Sequence, residues 1–151
     1  MQKQNNYDTI DGHRVPQTYI NEDYELKGIH EGTINVEAGK FKLRGTLQGT
    51  LVINTIETVE ISGTQQGTVQ MSRGSNVIVS GSIQGTTNVS PGATLIIEST
   101  GKLSGTLTNN GTVILRGVFG GAQSGSGNLV LEGEGYIKQP TIKNGISYYE
   151  W

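Results

Sequence analysis

The sequence predicts an all-β chain folded as a single-stranded, three-sided β-solenoid of about six coils, each of roughly 18 residues, with capped ends. The first observation is a cassette: GTLQGT (45–50) returns as GTQQGT (63–68) and as GSIQGT (81–86), at the same spacing both times. The second is that apolar and polar residues alternate within each unit, which is the periodicity of a strand. Units this short cannot bury an apolar face alone, so they must stack and share one core.

Alignment of the units places the apolar residues in columns. One column contains Phe41, Val59, Val77, Leu95 and Val113, and a second, two residues on, contains Leu43, Ile61, Val79, Ile97 and Leu115. Two further columns contain Ile34, Leu51, Val69 and Leu107, and Val36, Ile53, Met71 and Val89. Steps of six residues from Phe41 to Phe119 meet apolar residues at twelve of fourteen positions, the exceptions being Gln65 and Gly101. Three sides of six residues explain the length of the unit, whereas an immunoglobulin-like sandwich, the competing all-β architecture, gives no reason for a period of six.

Glycine pairs four residues apart mark the corners between the sides. The first members of these pairs are Gly28, Gly45, Gly63, Gly81, Gly101 and Gly117. We expect the glycines to supply the positive φ that tight corners need. Turn-forming residues in VSPGAT (89–94) and TNNGTV (108–113) predict another corner at a recurring position.

The period and the paired glycines resemble the bactofilin family over roughly residues 28 to 135. That resemblance implies a right-handed triangular β-helix and a polymer-forming cytoskeletal scaffold. Left-handed hexapeptide-repeat acyltransferases share the period of six, but they commonly place glycine or another small residue after the aliphatic one. The corresponding residues of this chain are Glu60, Ser72, Ile78, Gln84 and Ile96, and its glycines lie elsewhere. The N-terminal MQKQNNY is too polar to be the membrane-targeting peptide that the resemblance also implies.

The chain divides into three segments of one folded domain. Residues 1–27 are polar and charged and are expected to cap the first coil, residues 28–135 form the solenoid, and residues 136–151 form an aromatic cap or hook. The last segment contains Pro140 and the turn signal KNG (143–145), which predicts a small hairpin.

Bulk composition excludes several classes of partner. Eleven basic and thirteen acidic residues give a formal net charge of -2, so no general attraction to nucleic acid or anionic lipid is expected. The chain has no cysteine, no secretory apolar stretch and no apolar run of membrane-spanning length. We therefore expect a soluble, cytoplasmic protein with no direct nucleic-acid or membrane partner.

No pattern in the sequence predicts catalysis. His13 and His30 lack metal-ligand spacing, and no nucleophile-elbow sequence supports a triad of Ser124, His30 and Asp23. The glycines of GGAQSGSGN (120–128) lack the lysine of a phosphate loop. We expect a non-enzymatic protein with no catalytic residue, no metal and no cofactor.

The preferred hypothesis is a protein-binding solenoid, namely a cytoplasmic immunity protein that neutralises a cognate bacterial toxin, for example a nuclease, by covering its active site. It rests on elimination and analogy. The alternative is the polymer-forming scaffold, because a stacked rod ends in unpaired strand edges. Candidate partner-binding residues are the acidic Glu22, Asp23, Glu25 and Glu31, the neutral Gln48, Gln66 and Gln84, and the aromatic Tyr148, Tyr149 and Trp151.

Two of these groups also have a structural interpretation. Gln48, Gln66 and Gln84, with the threonines that follow the second cassette glycine, form ladders whose side chains can bond from coil to coil. Tyr148, Tyr149 and Trp151 can cap the apolar core at the end of the repeat instead of contacting a partner.

Overall fold

The computed structural model describes residues 7–10, 12–138 and 141–148, and the elements in this part are strands, turns and bends. Strands are numbered in chain order, and the stacked coils have three sides. Side 1 contains β3 (Thr18–Ile20), β6 (Ile34–Val36), β9 (Leu51–Ile53), β12 (Val69–Met71), β15 (Thr86–Val89) and the second halves of β17 (Lys102–Asn109) and β19 (Val118–Ser124).

Side 2 is a sheet of seven parallel strands: β4 (Tyr24–Leu26), β7 (Phe41–Leu43), β10 (Thr58–Ile61), β13 (Asn76–Val79), β16 (Thr94–Ile97), β18 (Thr112–Leu115) and β20 (Asn128–Leu131). Side 3 contains β5 (Ile29–Glu31), β8 (Thr46–Gln48), β11 (Thr64–Gln65), β14 (Ser82–Ile83), the first halves of β17 and β19, and β21 (Tyr136–Ile137). Outside the coils lie two hairpins, β1 (Tyr7–Ile10) with β2 (His13–Pro16), and β22 (Thr141–Lys143) with β23 (Ile146–Tyr148).

The register confirms the predicted β-solenoid. Val59 pairs with Val77 and Val77 with Leu95 in adjacent parallel strands, and all three are completely buried. All fourteen positions of the six-residue series are buried, including the two exceptions Gln65 and Gly101. The chain visits sides 1, 2 and 3 in turn, and the aliphatic columns meet in one continuous core.

The structure has about seven turns, one more than predicted. The additional coil is the first, made of β3, β4 and β5, and it falls largely within the segment expected to be a cap. The sequence pattern does not reveal this coil, because its inward positions are less apolar than those of later coils. These positions are Thr18, Ile20, Tyr24, Leu26 and His30. At the other end, β21 carries the solenoid to Ile137. The right-handed winding and the capping of both ends stay predictions.

Close approach between coils, not positive φ, explains most of the cassette glycines. An ideal Cβ on Gly45, Gly63 or Gly81 would lie 1.9, 2.0 or 2.1 Å from the carbonyl oxygen of the first cassette glycine one coil below. These three glycines do not have positive φ. The expectation that corners need left-handed backbone is therefore wrong at these positions, because the steric limit comes from the neighbouring coil.

The N-terminal hairpin β1–β2 lies beside the corner between sides 3 and 1. The Asp8 carboxylate accepts hydrogen bonds from the Thr33 backbone N–H at 2.6 Å, the Thr33 hydroxyl at 2.9 Å and the Gln17 amide at 3.2 Å. Gln17 in turn accepts a hydrogen bond from Asn35 at 3.0 Å. One carboxylate thus ties the hairpin to the second coil.

The predicted turn at 143–145 joins β22 to β23 as an antiparallel hairpin, and Asn144 adopts φ 52°. Tyr148 belongs to β23, whereas Tyr149 and Trp151 lie outside the described residues. The described part of the chain contains no helix that is long and apolar enough to cross a membrane.

Candidate partner-binding surfaces

Gln48, Gln66 and Gln84 lie in one row at the outer edge of side 3, and all three are exposed. Their alignment follows from the register of the residues before them, since Leu47 pairs with Gln65 and Gln65 with Ile83. Glu31 pairs with Gln48 and so begins this row in the first coil. We call Gln48, Gln66 and Gln84 the glutamine row.

Neutral polar residues flank the glutamine row in each of coils 2 to 4. Thr46, Thr64 and Ser82 precede it by two residues on the same strands, and Thr50, Thr68 and Thr86 follow it across the second cassette glycine. Side chains are absent at that glycine because an ideal Cβ on Gly67 would lie 2.1 Å from the carbonyl oxygen of Gly49. These nine residues carry no charge, and we call them the neutral face. In coil 2, Gln48 and Thr50 line a cavity together with Asp8, Thr9 and Ile10 of the N-terminal hairpin.

The side chains of the neutral face do not form the predicted ladders. Within the described residues, no hydrogen bond joins the side-chain amides of the glutamine row to one another or to the threonines. Side-chain bonds between coils occur on side 1 instead, where Asn88 donates to Gln70 at 3.0 Å and Ser72 donates to Asn54. The amides of the glutamine row therefore keep their donors and acceptors for solvent or a partner.

The four predicted acidic residues do not form one patch. Glu22 and Asp23 lie at the corner between sides 1 and 2, and Glu25 faces outward on side 2, but Glu31 belongs to side 3. The Asp23 carboxylate accepts the Lys40 backbone N–H at 2.8 Å. Glu25 forms ion pairs with Arg44 at 3.2 Å and with Lys27 at 3.5 Å. Two of the carboxylates are thus already engaged within the chain.

A surface that sequence reasoning overlooked lies on the outside of side 2. Its outward residues in the last four coils form a stacked aliphatic column: Ile78, Ile96, Ile114 and Val130. The first three are partly exposed, and Val130 is exposed. The signal was present in the sequence, since Ile78, Ile96 and Ile114 occupy the same position between two inward columns in three successive units.

An ion-pair chain runs along one edge of this aliphatic column. Arg116 donates from Nη1 to Glu98 at 3.2 Å and from Nε to Glu132 at 2.9 Å. The hydrogen bond and charge of Glu132, followed by the charge of Glu98, raise the pKa of Arg116 above its ordinary value. All three side chains remain at least one-third exposed, so this chain is accessible to a partner.

The residues considered for catalysis are far apart. His30 lies on side 3 of the first coil and Ser124 on side 1 of the seventh, so a little more than five coil steps, roughly 26 Å, separate them along the axis. Across the described ranges, no three histidine, aspartate or glutamate residues are grouped to hold a metal ion.

Comparison of the chain with protein-family models, with curated protein sequences and with solved structures gave no match.

Proposed function

We propose that this chain is a non-enzymatic, protein-binding solenoid that acts as an inhibitor of the immunity-protein class, laying its neutral face over the active site of a toxin. The observation that carries the proposal is the glutamine row: exposed amides, in register, without a hydrogen-bond partner among the described residues. Each amide offers two donors and one acceptor oxygen, so the row can recognise polar backbone or side chains of a partner.

Rigidity supports this assignment. The strands that carry the glutamine row are fixed by backbone bonds to the coils on either side, for example from Gln66 N–H to Leu47 O at 2.9 Å and from Gln84 N–H to Gln65 O at 2.8 Å. A surface that is ordered before binding loses little conformational entropy when it binds. A regular face without chemistry of its own is suited to covering another protein's site.

The carboxylates contribute little to this proposal. Charge complementarity to a basic cleft, as in a nuclease, would need free carboxylates grouped on one surface. Glu31 alone lies next to the glutamine row, and Glu25 is ion-paired elsewhere. The proposed contact is therefore neutral, and a toxin with a polar, uncharged rim around its active site fits it better than a nuclease.

The test is protection of cells from the toxic product of a gene beside the one that encodes this chain. We expect the unaltered chain to restore growth and to bind that product in calorimetry. Gln66→Lys places a charge at the centre of the neutral face and is expected to weaken binding at least tenfold. The matched control Gln70→Lys changes an exposed glutamine on side 1 and should bind normally. Equal binding by both variants, or no protection by the unaltered chain, would contradict the proposal.

One observation favours the scaffold function as a second candidate. Leu131 occupies an inward column in the last coil and is 53% exposed, whereas its neighbour Leu115, one coil below, is completely buried. In the described part of the chain, β20 and β21 have no strand beyond them. Such an end can add a further coil from another molecule. Filaments in negative stain that disappear in Leu131→Glu would establish this function, and discrete particles at all concentrations would exclude it.

A further inference from the structure

The outer face of side 2 has two halves of different chemistry. In the first three coils its central outward residues are Glu25, Lys42 and Glu60, which stack in register. In the last four coils the same column contains the aliphatic residues Ile78, Ile96, Ile114 and Val130. The change from charged to aliphatic occurs in a single coil step, between Glu60 and Ile78.

The aliphatic half is unlike the other outward surfaces. Side 1 presents Asn35, Val52, Gln70, Asn88 and Thr108 in its outward column, so only one of these five is aliphatic. Side 3 presents the neutral face. Parallel sheets usually have both faces covered, and contiguous exposed apolar residues mark interaction sites. The aliphatic column therefore has the character of a contact surface.

Two polar rows flank the aliphatic column. Two residues earlier on each strand lie Asn76, Thr94, Thr112 and Asn128, and two residues later lie Ser80, Glu98, Arg116 and Glu132. The second row carries opposite charges at adjacent coils, Glu98 in coil 5 and Arg116 in coil 6. If a second copy of this row is placed opposite the first with its coils in reverse order, Glu98 of each copy faces Arg116 of the other.

We propose that the aliphatic column is the interface of a symmetric dimer, in which a second copy packs face to face with its solenoid axis reversed. The twofold axis runs along the strand direction, between β16 and β18. Ile96 then meets Ile114 of the partner subunit, and Ile78 meets Val130 of the partner subunit. The same operation places Glu98 opposite Arg116 of the partner subunit, and Thr94 opposite Thr112 of the partner subunit.

Charge complementarity selects this arrangement over a parallel one. With the axes parallel, the Glu98–Arg116 row would face the asparagine–threonine row, and Glu25 would face Glu25 of the partner subunit. With the axes reversed, the charged half lies beyond the last coil of the partner subunit and faces none of the partner's seven side 2 strands. That half is already paired within the chain, since Lys42 lies 3.6 Å from Glu60 and Arg44 lies 3.2 Å from Glu25.

The area of the contact predicts a weak dimer. Four strands spaced about 4.8 Å apart and about five residues wide give roughly 300 Å² per copy, or about 600 Å² in total. Stable interfaces bury about 1,200 Å² or more, and smaller ones are transient. We therefore expect a reversible equilibrium, with monomer at about 10 µM and dimer at about 1 mM.

Sedimentation equilibrium across this concentration range tests the interface. Ile96→Lys places a charge opposite Ile114 of the partner subunit and is expected to leave a folded monomer at every concentration. The control Val52→Lys changes a partly exposed aliphatic residue on side 1 and should dimerise like the unaltered chain. A monomer throughout for the unaltered chain, or a dimer for Ile96→Lys, would overturn the proposal. Species larger than a dimer that persist in Ile96→Lys would indicate end-to-end assembly instead.

A charge-exchange experiment tests the geometry of the twofold axis. Arg116→Glu alone brings two carboxylates together across the interface, and Glu98→Arg alone brings two guanidinium groups together, so each variant is expected to be monomeric. In an equimolar mixture, each Glu98–Arg116 contact regains opposite charges, and we expect a heterodimer in native mass spectrometry. Failure of the mixture to associate more strongly than either variant alone would contradict the reversed arrangement, whatever Ile96→Lys shows. Both results are independent of toxin binding.

Discussion

Two side chains inside the solenoid carry polar atoms without a hydrogen-bond partner among the described residues, namely Gln65 Oε1 and Thr87 Oγ1. Both residues are completely buried. Gln65 still donates from Nε2 to Gly49 O at 2.8 Å and to Thr68 O at 3.3 Å, so its amide helps hold the corner between sides 3 and 1. Thr87 pairs with Val69 and with Leu107, which are both aliphatic and completely buried.

Thr87→Val is expected to raise the free energy of unfolding by about 1–2 kcal/mol. Valine has nearly the shape of threonine, and it removes a hydroxyl whose burial without a bond costs free energy. Urea unfolding of the variant measures the change. Thr108→Val, on the outward side of the same strand as Leu107, is the matched control and should shift stability by less than about 0.5 kcal/mol. A less stable Thr87→Val would show that the hydroxyl has a partner.

Gly63→Ala is expected to lower the free energy of unfolding by about 2 kcal/mol or more, because overpacking of this kind forces the backbone to shift. The added Cβ would lie 2.0 Å from the carbonyl oxygen of Gly45, which belongs to the backbone of the neighbouring coil.

Gly133→Asn is a control at a glycine with φ +58° and no atom within 4 Å of an ideal Cβ. Asparagine tolerates left-handed backbone, so a change below about 1 kcal/mol is expected by urea unfolding. Equal effects of Gly63→Ala and Gly133→Asn would show that close approach between coils does not explain the cassette.

Among the elements, the N-terminal hairpin is hydrogen-bonded to the second coil through the Asp8 carboxylate. Asp8 bonds both the backbone and the hydroxyl of Thr33 and also the amide of Gln17. The hairpin strands β1 and β2 form their own sheet and share no ladder with β3. We therefore expect that the hairpin can detach from the coils without disturbing the stacking of the solenoid.

Asp8→Ala is expected to release the hairpin without unfolding the coils. Hydrogen bonds to a charged carboxylate contribute about 1.5–3 kcal/mol each, and this variant removes three. Hydrogen exchange should accelerate at residues 7–16 and stay slow in β7, β10 and β13. The variant Asp23→Ala, which removes a single exposed bond to Lys40 N–H, serves for comparison. Loss of protection throughout the solenoid in Asp8→Ala would show that the hairpin is part of the folding unit.

The sequence predicts most of the core residues of side 2, because apolar residues that recur at the coil period are the ones that face the core. Columns such as Val59–Val77–Leu95 recur once in every coil, and burial is the force that selects them. The first coil was missed because Thr18, Tyr24 and His30 stand where later coils have aliphatic residues. Hydrogen bonding of the glutamine row could not be read from the sequence, since stacking in register does not specify where side-chain amides point.

The outward aliphatic column is a second feature whose side-chain direction the sequence alone does not specify. Ile78, Ile96 and Ile114 recur at the coil period, but between two inward columns they read as part of one apolar run. Only the strand register shows that they face away from the core. The acidic residues, chosen from their charge alone, were poorer candidates for partner binding than the glutamine row, because Glu25 and Asp23 are bonded within the chain.

At the scale of the whole molecule, the described strands of each coil pair with strands of the coils directly above and below it. Stability is then approximately a sum of coil and interface contributions, and the ends are the weakest places. The neutral face lies on side 3 and the aliphatic column on side 2, and the last coil carries both the end of that column, Val130, and the exposed Leu131. The two proposals, toxin binding at the neutral face and dimerisation through the aliphatic column, therefore place their partners on different sides of the solenoid.

The stacking of successive coils in register is tested most directly by cysteine pairs, because the chain has no cysteine of its own. Gln70 and Asn88 are outward register partners, and strands in adjacent coils lie about 4.8 Å apart, within the Cα range of a disulfide. Gln70→Cys with Asn88→Cys should therefore oxidise nearly completely within the folded monomer, as measured by mass spectrometry. Gln70→Cys with Thr108→Cys, two coils apart at about 9.6 Å, should not. Equal oxidation of the two pairs, or preferential oxidation of the second, would contradict the stacked solenoid.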